Sequence, residues 1–314
     1  MEPILFIHIP KTAGTSLQES AVDAFGIQSV EKDYGPDKNY STALVKEHLY
    51  GSDTNDIYGF KSAFLTQRKK WLGGHFHADK FTHLFGAQNT VSFVRRPVDR
   101  VISEYRYLQR THGLDRSFED FYRSPAETNK HFRMLGPTPW RALHLVGSLE
   151  RYSECLKLLS SSFKLNLPEY KKNTNPIPQG NTVSADVRAE IAKWNERDIL
   201  FVQEARDYLE KRIQNDKKGK PFCYHDSGFS LDEHIIGWAF YSGSNEVVRI
   251  GLYVNGQLKN EIGALEHRPD LQILQTPRGG HNGYRFVLSG YTHASHIEVR
   301  ALNTEQTLFS WTRP

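Results

Sequence analysis

Two short segments of the sequence combine basic and hydroxyl side chains in an order that suits anion binding. The first is the string HIPKTAGTSL at residues 8–17, which begins at the end of the apolar run 4–9 and leads into a helical pattern. A turn here aims backbone N–H groups and the positive end of a helix at one spot, which suits a phosphate or sulfate. Lys11 adds a mobile positive charge. Hydroxyl donors follow at Thr12, Thr15 and Ser16.

The order of residues in this loop differs from that of nucleotide kinases. The pattern GxxxxGK[ST] places a lysine after a glycine, whereas Lys11 precedes Gly14 in this chain. A kinase is therefore disfavoured. The other alternative is an ordinary polar turn in which Thr15 or Ser16 caps the helix that follows.

The second segment, residues 93–105, reads FVRRPVDRVISEY. Arg95 leaves the end of an apolar run, and Pro97 suits the first turn of a helix on which Ser103 lies two turns further along. Together Arg95 and Ser103 could grip a second phosphate at some distance from the first. We expect the other basic residues nearby to form a solvated face: Arg96, Arg100 and Arg106.

Together the two segments resemble the sulfotransferases that use 3′-phosphoadenosine 5′-phosphosulfate (PAPS), and they look most like the branch of heparan and uronyl 2-O-sulfotransferases and their bacterial relatives. In that family an IPKTAGTS-type loop binds the 5′-phosphosulfate, and an RDPxxRxxSxY-type segment binds the 3′-phosphate. This chain shows IPKTAGTS at 9–16 and RRPVDRVISEY at 95–105, with Arg96 where the family usually has Asp. The similarity ends with NERDILF at 195–201 and covers residues 1–213.

The resemblance implies a sulfuryl donor, a product and a set of donor-binding residues. PAPS would be the donor and 3′,5′-adenosine diphosphate (PAP) the product, with no metal ion required. Lys11 would contact the bridging oxygen and the leaving phosphate, while Arg95 and Ser103 would hold the 3′-phosphate. The loop that would hold the non-bridging oxygens consists of Thr12, Ala13, Gly14, Thr15 and Ser16.

The resemblance also points to a general base in the segment LGGHFHAD at residues 72–79. In the 2-O-sulfotransferases a histidine in this region deprotonates the acceptor hydroxyl, and His75 matches its position. A neutral imidazole with an ordinary pKa near 6.5 suits that task. A second family histidine is replaced by Gly73, which leaves His77 as the local substitute. Half of a zinc site and a packed structural histidine are the alternatives for His75, and two further residues remain candidate bases: Asp79 and Glu104.

The N-terminal part of the sequence predicts an α/β fold. Apolar runs at 4–9 and 91–94 are each followed by a turn and a helical pattern, which indicates strands of a parallel sheet. The resemblance makes this a P-loop-like parallel-sheet sulfotransferase domain, which we place at residues 1–218. The polar run 214–221 is typical of a linker.

The C-terminal part predicts a different class of fold. Residues 222–314 contain several short runs of β-type residues, and Asn255-Gly256 is a strong hairpin signal. We therefore expect a smaller all-β sandwich domain at 222–314. Its aromatic residues could stack on sugars, although core packing accounts for most of them. They include Trp238, Tyr241, Tyr253, Tyr284, Tyr291 and Trp311.

Composition excludes several classes of protein. Of 314 residues 38% are hydrophobic and 24% charged, which is ordinary globular usage, and the net charge of +4 is too small to indicate a nucleic-acid partner. Two cysteines, Cys155 and Cys223, cannot form a disulfide framework or a four-cysteine zinc site. No apolar run approaches the ~18 residues of a membrane span. The start shows neither a signal peptide nor the anchor of the Golgi relatives, so we expect a cytoplasmic, bacterial enzyme.

The acceptor is the part of the reaction that the sequence defines least. The resemblance favours a carbohydrate hydroxyl, so the expected partner besides PAPS is a glycan. A tyrosine or a small metabolite is an alternative acceptor, and a non-catalytic glycan- or nucleotide-binding protein is an alternative function. Nothing in the sequence indicates an oligomeric state.

Overall fold

A computed structural model describes residues 2–36, 39–51, 55–170, 183–230, 234–291 and 293–313. The chain forms two compact units. The first comprises Met1–Phe85, Asn89–Trp140 and Leu145–Glu210, and the second comprises Gly86–Gln88, Arg141–His144 and Lys211–Pro314. The domain boundary at 218–222 stays a prediction. No helix of the described residues is long and apolar enough to cross a membrane.

The first unit is built on a five-stranded parallel sheet. Its strands are β1 (Ile4–Ile7), β2 (Val30–Asp33), β3 (Trp71–Gly74), β4 (Thr90–Val94) and β5 (Leu145–Ser148). They lie in the order β2-β3-β1-β4-β5, and in the register Gly74 lies opposite both Asp33 and Ile7. β1 and β4 are buried along their whole length, as the continuous apolar runs predict. The α/β class with a parallel sheet is confirmed.

Ten helices of the described chain connect or follow these strands. They are α1 (Gly14–Phe25), α2 (Ala43–Leu49), α3 (Ile57–Thr66), α4 (Ala78–Phe85), α5 (Pro97–His112), α6 (Phe118–Tyr122), α7 (Lys130–Leu135), α8 (Tyr152–Phe163), α9 (Ala185–Trp194) and α10 (Glu196–Lys217). α5 starts with Pro97 in its first turn, as predicted, and ends at Gly113 in the left-handed conformation. Its apolar side packs with residues of α6 and α9 in a buried cluster that includes Val101, Phe121 and Ile191.

The structure corrects one expectation for α5. Arg100 is completely buried rather than part of a solvated basic face. Its Nη1 atom lies 3.3 Å from Glu104 Oε2 and 3.6 Å from Glu127 Oε2, and its Nη2 atom donates to the backbone carbonyl of Glu127. A buried guanidinium requires such paired acceptors. Arg96 is exposed and Arg106 half-buried, as a basic face requires.

The second unit contains two four-stranded antiparallel sheets, with strand orders β10-β11-β7-β6 and β13-β12-β8-β9. Its elements are β6 (Cys223–Ser230), β7 (His234–Tyr241), β8 (Arg249–Val254), β9 (Gln257–Gly263), β10 (Glu266–His267), α11 (Pro269–Ile273), β11 (His281–Val287), β12 (His296–Ala301) and β13 (Gln306–Thr312). Residues of both sheets share one buried apolar cluster, among them Ile235, Phe286 and Val299. The predicted β-sandwich class is confirmed.

Local signals in this unit gave the expected structures. Asn255 and Gly256 both have positive φ, 48° and 80°, and form the two-residue turn between β8 and β9. Core packing accounts for Trp238, Tyr241 and Tyr284, which are buried. Both cysteines of the chain are buried free thiols.

Candidate active site

Four of the residues that could do chemistry each follow directly after a strand of the parallel sheet. Tyr34 follows β2, His75 follows β3, His8 follows β1 and Arg95 follows β4. Because the carboxyl ends of parallel strands meet at one edge of a sheet, these side chains are brought together there. The site is therefore assembled by the sheet, from segments that are far apart in the sequence.

The loop between β1 and α1 has a left-handed backbone at two positions, a conformation that can present several N–H groups to an anion. Lys11 and Ala13 have positive φ values of 67° and 72°, which cost non-glycine residues on the order of 1–3 kcal/mol each. α1 begins at Gly14 with Ala13 as its N-cap and no side-chain cap, so the alternative of a Thr15 or Ser16 cap is wrong. Successive N–H groups in such a turn form an anion-binding concavity.

The hydroxyl residues of this loop differ in their surroundings. Thr12 is completely buried, and its Oγ1 donates to the carbonyl of Ile9 at 2.8 Å, so the hydroxyl closes the loop on itself. Thr15 is exposed, whereas Ser16 is buried. Only Thr15 among the three thus offers a freely accessible hydroxyl.

Two cations, Lys11 and Arg95, lie beside the loop. Arg95 Nη1 donates to the carbonyl of Lys11 at 3.2 Å, and Lys11 Nζ lies 4.0 Å from the centre of the Tyr107 ring. Neither side chain forms an ion pair within the described part of the chain. Burial lowers the pKa of Lys11; Glu104 opposes this shift, and the charge of Arg95 adds to it. Burial likewise lowers the pKa of Arg95. Half-buried cations that have acids nearby but no direct ion pair fit a ligand with several negative charges.

A buried histidine–aspartate pair supports Arg95 from behind. The backbone N–H of Arg95 donates to His131 Nε2 at 3.3 Å, and His131 Nδ1 lies 2.7 Å from Asp198 Oδ2. Asp198 also accepts from the backbone N–H groups of His131 and Phe132, at 3.1 and 2.7 Å. Burial lowers the pKa of His131 although Asp198 opposes the shift. The neutral ring then carries its proton on Nδ1 and accepts with Nε2.

Ser103 lies on α5, half-buried, four residues before Tyr107. Residues four apart on a helix share a face, so Ser103 and the ring that contacts Lys11 are on the same side of α5. Ser103 and Arg95 do not hydrogen-bond to each other in the described structure. A ligand would have to bridge them.

His75 stands in a group of three rings, His8, Tyr34 and His75, which we call the ring group. The centre of the His75 ring lies 4.6 Å from that of His8 and 4.6 Å from that of Tyr34. His75 is an exposed residue by its surface area, yet the packed rings and the surrounding chain displace much of the water around its imidazole. Desolvation lowers the pKa of His75 to about 4, the charge of Lys130 adds to the shift, and Asp33 opposes it. At neutral pH the ring is uncharged and can accept a proton.

The other candidate bases stand apart from the ring group. His77 precedes α4 and Asp79 lies in its first turn, and both side chains are exposed. Neither forms a hydrogen bond, an ion pair or a ring contact with a member of the ring group in the described chain. Glu104 is buried against Arg100, and burial raises the pKa of its carboxyl.

Sequence reasoning missed four residues of this site. His8 and Tyr34 complete the ring group, and His131 with Asp198 supports Arg95. The available signal for the first pair was their position directly after β1 and β2, the two strands on either side of β3. Asp198 lies in the NERDILF segment, but no pattern marked His131. No group of three or more His, Cys, Asp or Glu suited to a metal ion occurs among the described residues.

Comparison with known proteins gives the family. The model of the Sulfotransferase family matches residues 1–157, half of the chain. The chain belongs to the sulfotransferase family. The match contains the anion-binding loop, the ring group and the Arg95–Ser103 segment. In this sulfotransferase the loop at residues 8–16 and His75 lie at one edge of the parallel sheet. No match was found among curated proteins.

Two solved sulfotransferase structures are similar to the chain at low identity. The first, a sulfotransferase from Alicyclobacillus acidocaldarius, is 14% identical over 68% of this chain and 96% of that chain, with a TM-score of 0.35. The second, mouse sulfotransferase SULT7A1 complexed with PAP, is 13% identical over 61% of this chain and 63% of that chain, with a TM-score of 0.33. At these scores neither structure assigns a role to any residue of this chain.

Proposed function

We propose that this member of the sulfotransferase family transfers a sulfuryl group from PAPS to an acceptor hydroxyl, with a carbohydrate as the favoured acceptor. The observation that carries the proposal is that the loop at residues 8–16 lies beside a neutral histidine, His75. Lys11 and Arg95, which form no ion pair in the described chain, flank an uncapped helix start, and His75 lies at the neighbouring strand end. Such a site can hold a polyanionic donor next to a proton acceptor.

In this proposal the two cations and the loop each bind a different part of PAPS. Lys11 contacts the bridging oxygen and the leaving 5′-phosphate, where negative charge grows in the transition state. The backbone N–H groups of residues 12–16 hold the non-bridging oxygens. Arg95, with Ser103, holds the 3′-phosphate and thereby selects PAPS over ordinary adenine nucleotides. The scheme needs no metal ion.

His75 supplies the acid–base chemistry in this proposal. The acceptor oxygen forms a bond to sulfur while the bond between sulfur and the bridging oxygen breaks, and PAP leaves. The acceptor proton passes to the neutral imidazole of His75. Positioning of the two reactants dominates catalysis of this kind, because the protein forms no covalent bond to the group that moves.

An acceptor screen tests the proposal. The protein is incubated with PAPS and panels of glycans, tyrosine peptides and small hydroxyl metabolites in EDTA, and PAP release is measured. PAP release that depends on a glycan supports the full proposal. PAP release that depends on a tyrosine peptide or a small metabolite would show that the acceptor belongs to that class instead. PAP binding without turnover on any panel would favour the non-catalytic binding protein. Lys11→Ala serves as the inactive control.

A further inference from the structure

Tyr107 is the direct neighbour of the Lys11 ammonium group. Nζ of Lys11 lies 4.0 Å from the centre of the Tyr107 ring, so the charge stands over the face of that ring. Within the described residues Lys11 forms no ion pair with an acid. A cation at this distance from an aromatic face is attracted by the negative face of the ring, and the attraction strengthens as water is removed. The ring therefore stabilises the ammonium group without neutralising it.

The other surroundings of Lys11 disfavour a fixed positive charge beside the loop. Burial lowers the pKa of Lys11 most, and the charges of Arg95 and Arg110 lower it further. Glu104 opposes this shift, but its carboxylate is already paired with an arginine of the same helix. The face of Tyr107 is thus the group in direct contact that favours the ammonium group at this position.

The helix that carries Tyr107 is anchored by buried groups. Arg100 is completely buried and lies seven residues before Tyr107, two turns earlier on the same face of α5. Its guanidinium pairs with Glu104 and with Glu127, which belongs to another segment. A lysine side chain has a flexible four-carbon stem, and ordering it costs rotamer entropy. A ring on an anchored helix lowers that cost at the moment of binding, because the ammonium group is ordered beforehand.

We propose that Tyr107 is a positioning residue of the donor site, whose ring face holds the Lys11 ammonium group next to the loop at residues 8–16 before the donor binds. This inference rests on the proposed function, which assigns Lys11 to the bridging oxygen and the leaving phosphate of PAPS. A neutral ring suits this task better than a carboxylate, because a carboxylate would neutralise the charge that the donor has to meet. Tyr107 acts through Lys11 in this scheme.

Two substitutions at position 107 separate the ring face from the hydroxyl group and from packing. Tyr107→Phe keeps the ring face, whereas Tyr107→Leu keeps an apolar side chain without one. We expect Tyr107→Leu to lower kcat by about 3–10-fold, the change that loss of a cation–π contact implies, and to weaken PAP binding less than it lowers kcat. Tyr107→Phe should keep kcat within about twofold of the wild type. Wild-type kcat in Tyr107→Leu, or an equal loss in both variants, would overturn the inference.

The position of Lys11 gives a readout that does not depend on turnover. The ring current of an aromatic side chain shields protons that lie over its face. In the nucleotide-free protein the ε-methylene protons of Lys11, assigned by their absence in Lys11→Ala, should therefore resonate upfield of those of an ordinary lysine. The upfield shift should persist in Tyr107→Phe and vanish in Tyr107→Leu. As a control, His112→Leu removes an exposed ring 5.8 Å from that of Tyr107 and should leave the shift in place.

The NMR measurement on the wild-type protein also separates failure of this inference from failure of the proposed function. An unshifted Lys11 resonance in the wild type, or a shift that survives Tyr107→Leu, would refute the positioning role of Tyr107. Failure of the wild-type protein to bind PAP, with the Lys11 resonance shifted upfield, would instead refute the proposed function.

Discussion

The pH dependence of acceptor turnover follows directly from the surroundings of His75. The active form of a general base is the neutral one, and the pKa of His75 is lowered from its ordinary 6.5 to about 4. Activity should therefore persist as pH falls from 7 and be lost only as pH approaches 4. At pH 5.5 a histidine with the ordinary pKa is only about 9% neutral, whereas one with a pKa of about 4 is about 97% neutral.

The assay is kcat/KM for the acceptor between pH 4 and 8, because this quantity reports the essential groups of the protein before the acceptor binds. At subsaturating PAPS the rate at pH 5.5 should lie close to that at pH 7, instead of about eightfold lower as for an ordinary histidine. At saturating PAPS the negative charges of the donor should shift the acid limb of the pH–rate profile, where activity falls with pH, to higher pH. Circular dichroism at each pH checks that the protein remains folded.

Lys130 provides a second, internal test of this reasoning. Its charge is the next largest contribution after desolvation to the lowered pKa of His75. Lys130→Met should therefore move the acid limb to higher pH, while Lys157→Met, which removes an exposed lysine of α8, should leave it in place. An acid limb near 6.5 in the wild type would show that the ring is not desolvated. An unchanged profile in His75→Ala would remove His75 from the mechanism.

Three further predictions concern the donor site. Lys11→Ala should lower kcat more than it weakens PAP binding, since the lysine meets charge that grows in the transition state; equal losses in both, from kinetics and calorimetry, would contradict this. Arg95→Ala should remove most of the preference for PAP over AMP, at a cost of about 1.5–3 kcal/mol in calorimetry, and unchanged discrimination would refute its role. Asp198→Asn should weaken PAP binding and lower the melting temperature, because one of the three N–H groups that donate to Asp198 loses its acceptor in a buried site. Wild-type PAP affinity in this variant would show that the His131–Asp198 pair does not position Arg95.

Local patterns accounted for much of the fold and for one half of the site. The apolar runs 4–9 and 91–94 gave β1 and β4, and Asn255-Gly256 gave its hairpin, because each is determined by neighbours in sequence. The loop at Lys11 was recognisable from its sequence for the same reason. The backbone conformation of the loop was not predicted, since the left-handed Ala13 is the N-cap in place of a residue with a hydroxyl group.

Long-range pairing accounts for what the sequence did not predict. His131 lies 36 residues from Arg95 and meets it only through the fold. Arg100 was expected in solvent although Glu104 pairs with it from the same helix, because its second acidic partner, Glu127, lies on a different segment. The second histidine beside His75 is His8, from the neighbouring strand, rather than His77 from the same segment. Strand order decides such neighbours, and strand order is not a local property of the sequence.

Single-turnover transfer of label tests the central proposal most directly. PAPS with a radiolabelled sulfuryl group is mixed with excess protein and the glycan acceptor found in the screen, and acceptor label and PAP are followed together. We predict one labelled acceptor for each PAP formed, with loss of roughly 10²–10⁴-fold in rate for His75→Ala at unchanged PAP affinity. Label released as inorganic sulfate, or transfer at the wild-type rate in His75→Ala, would contradict the account.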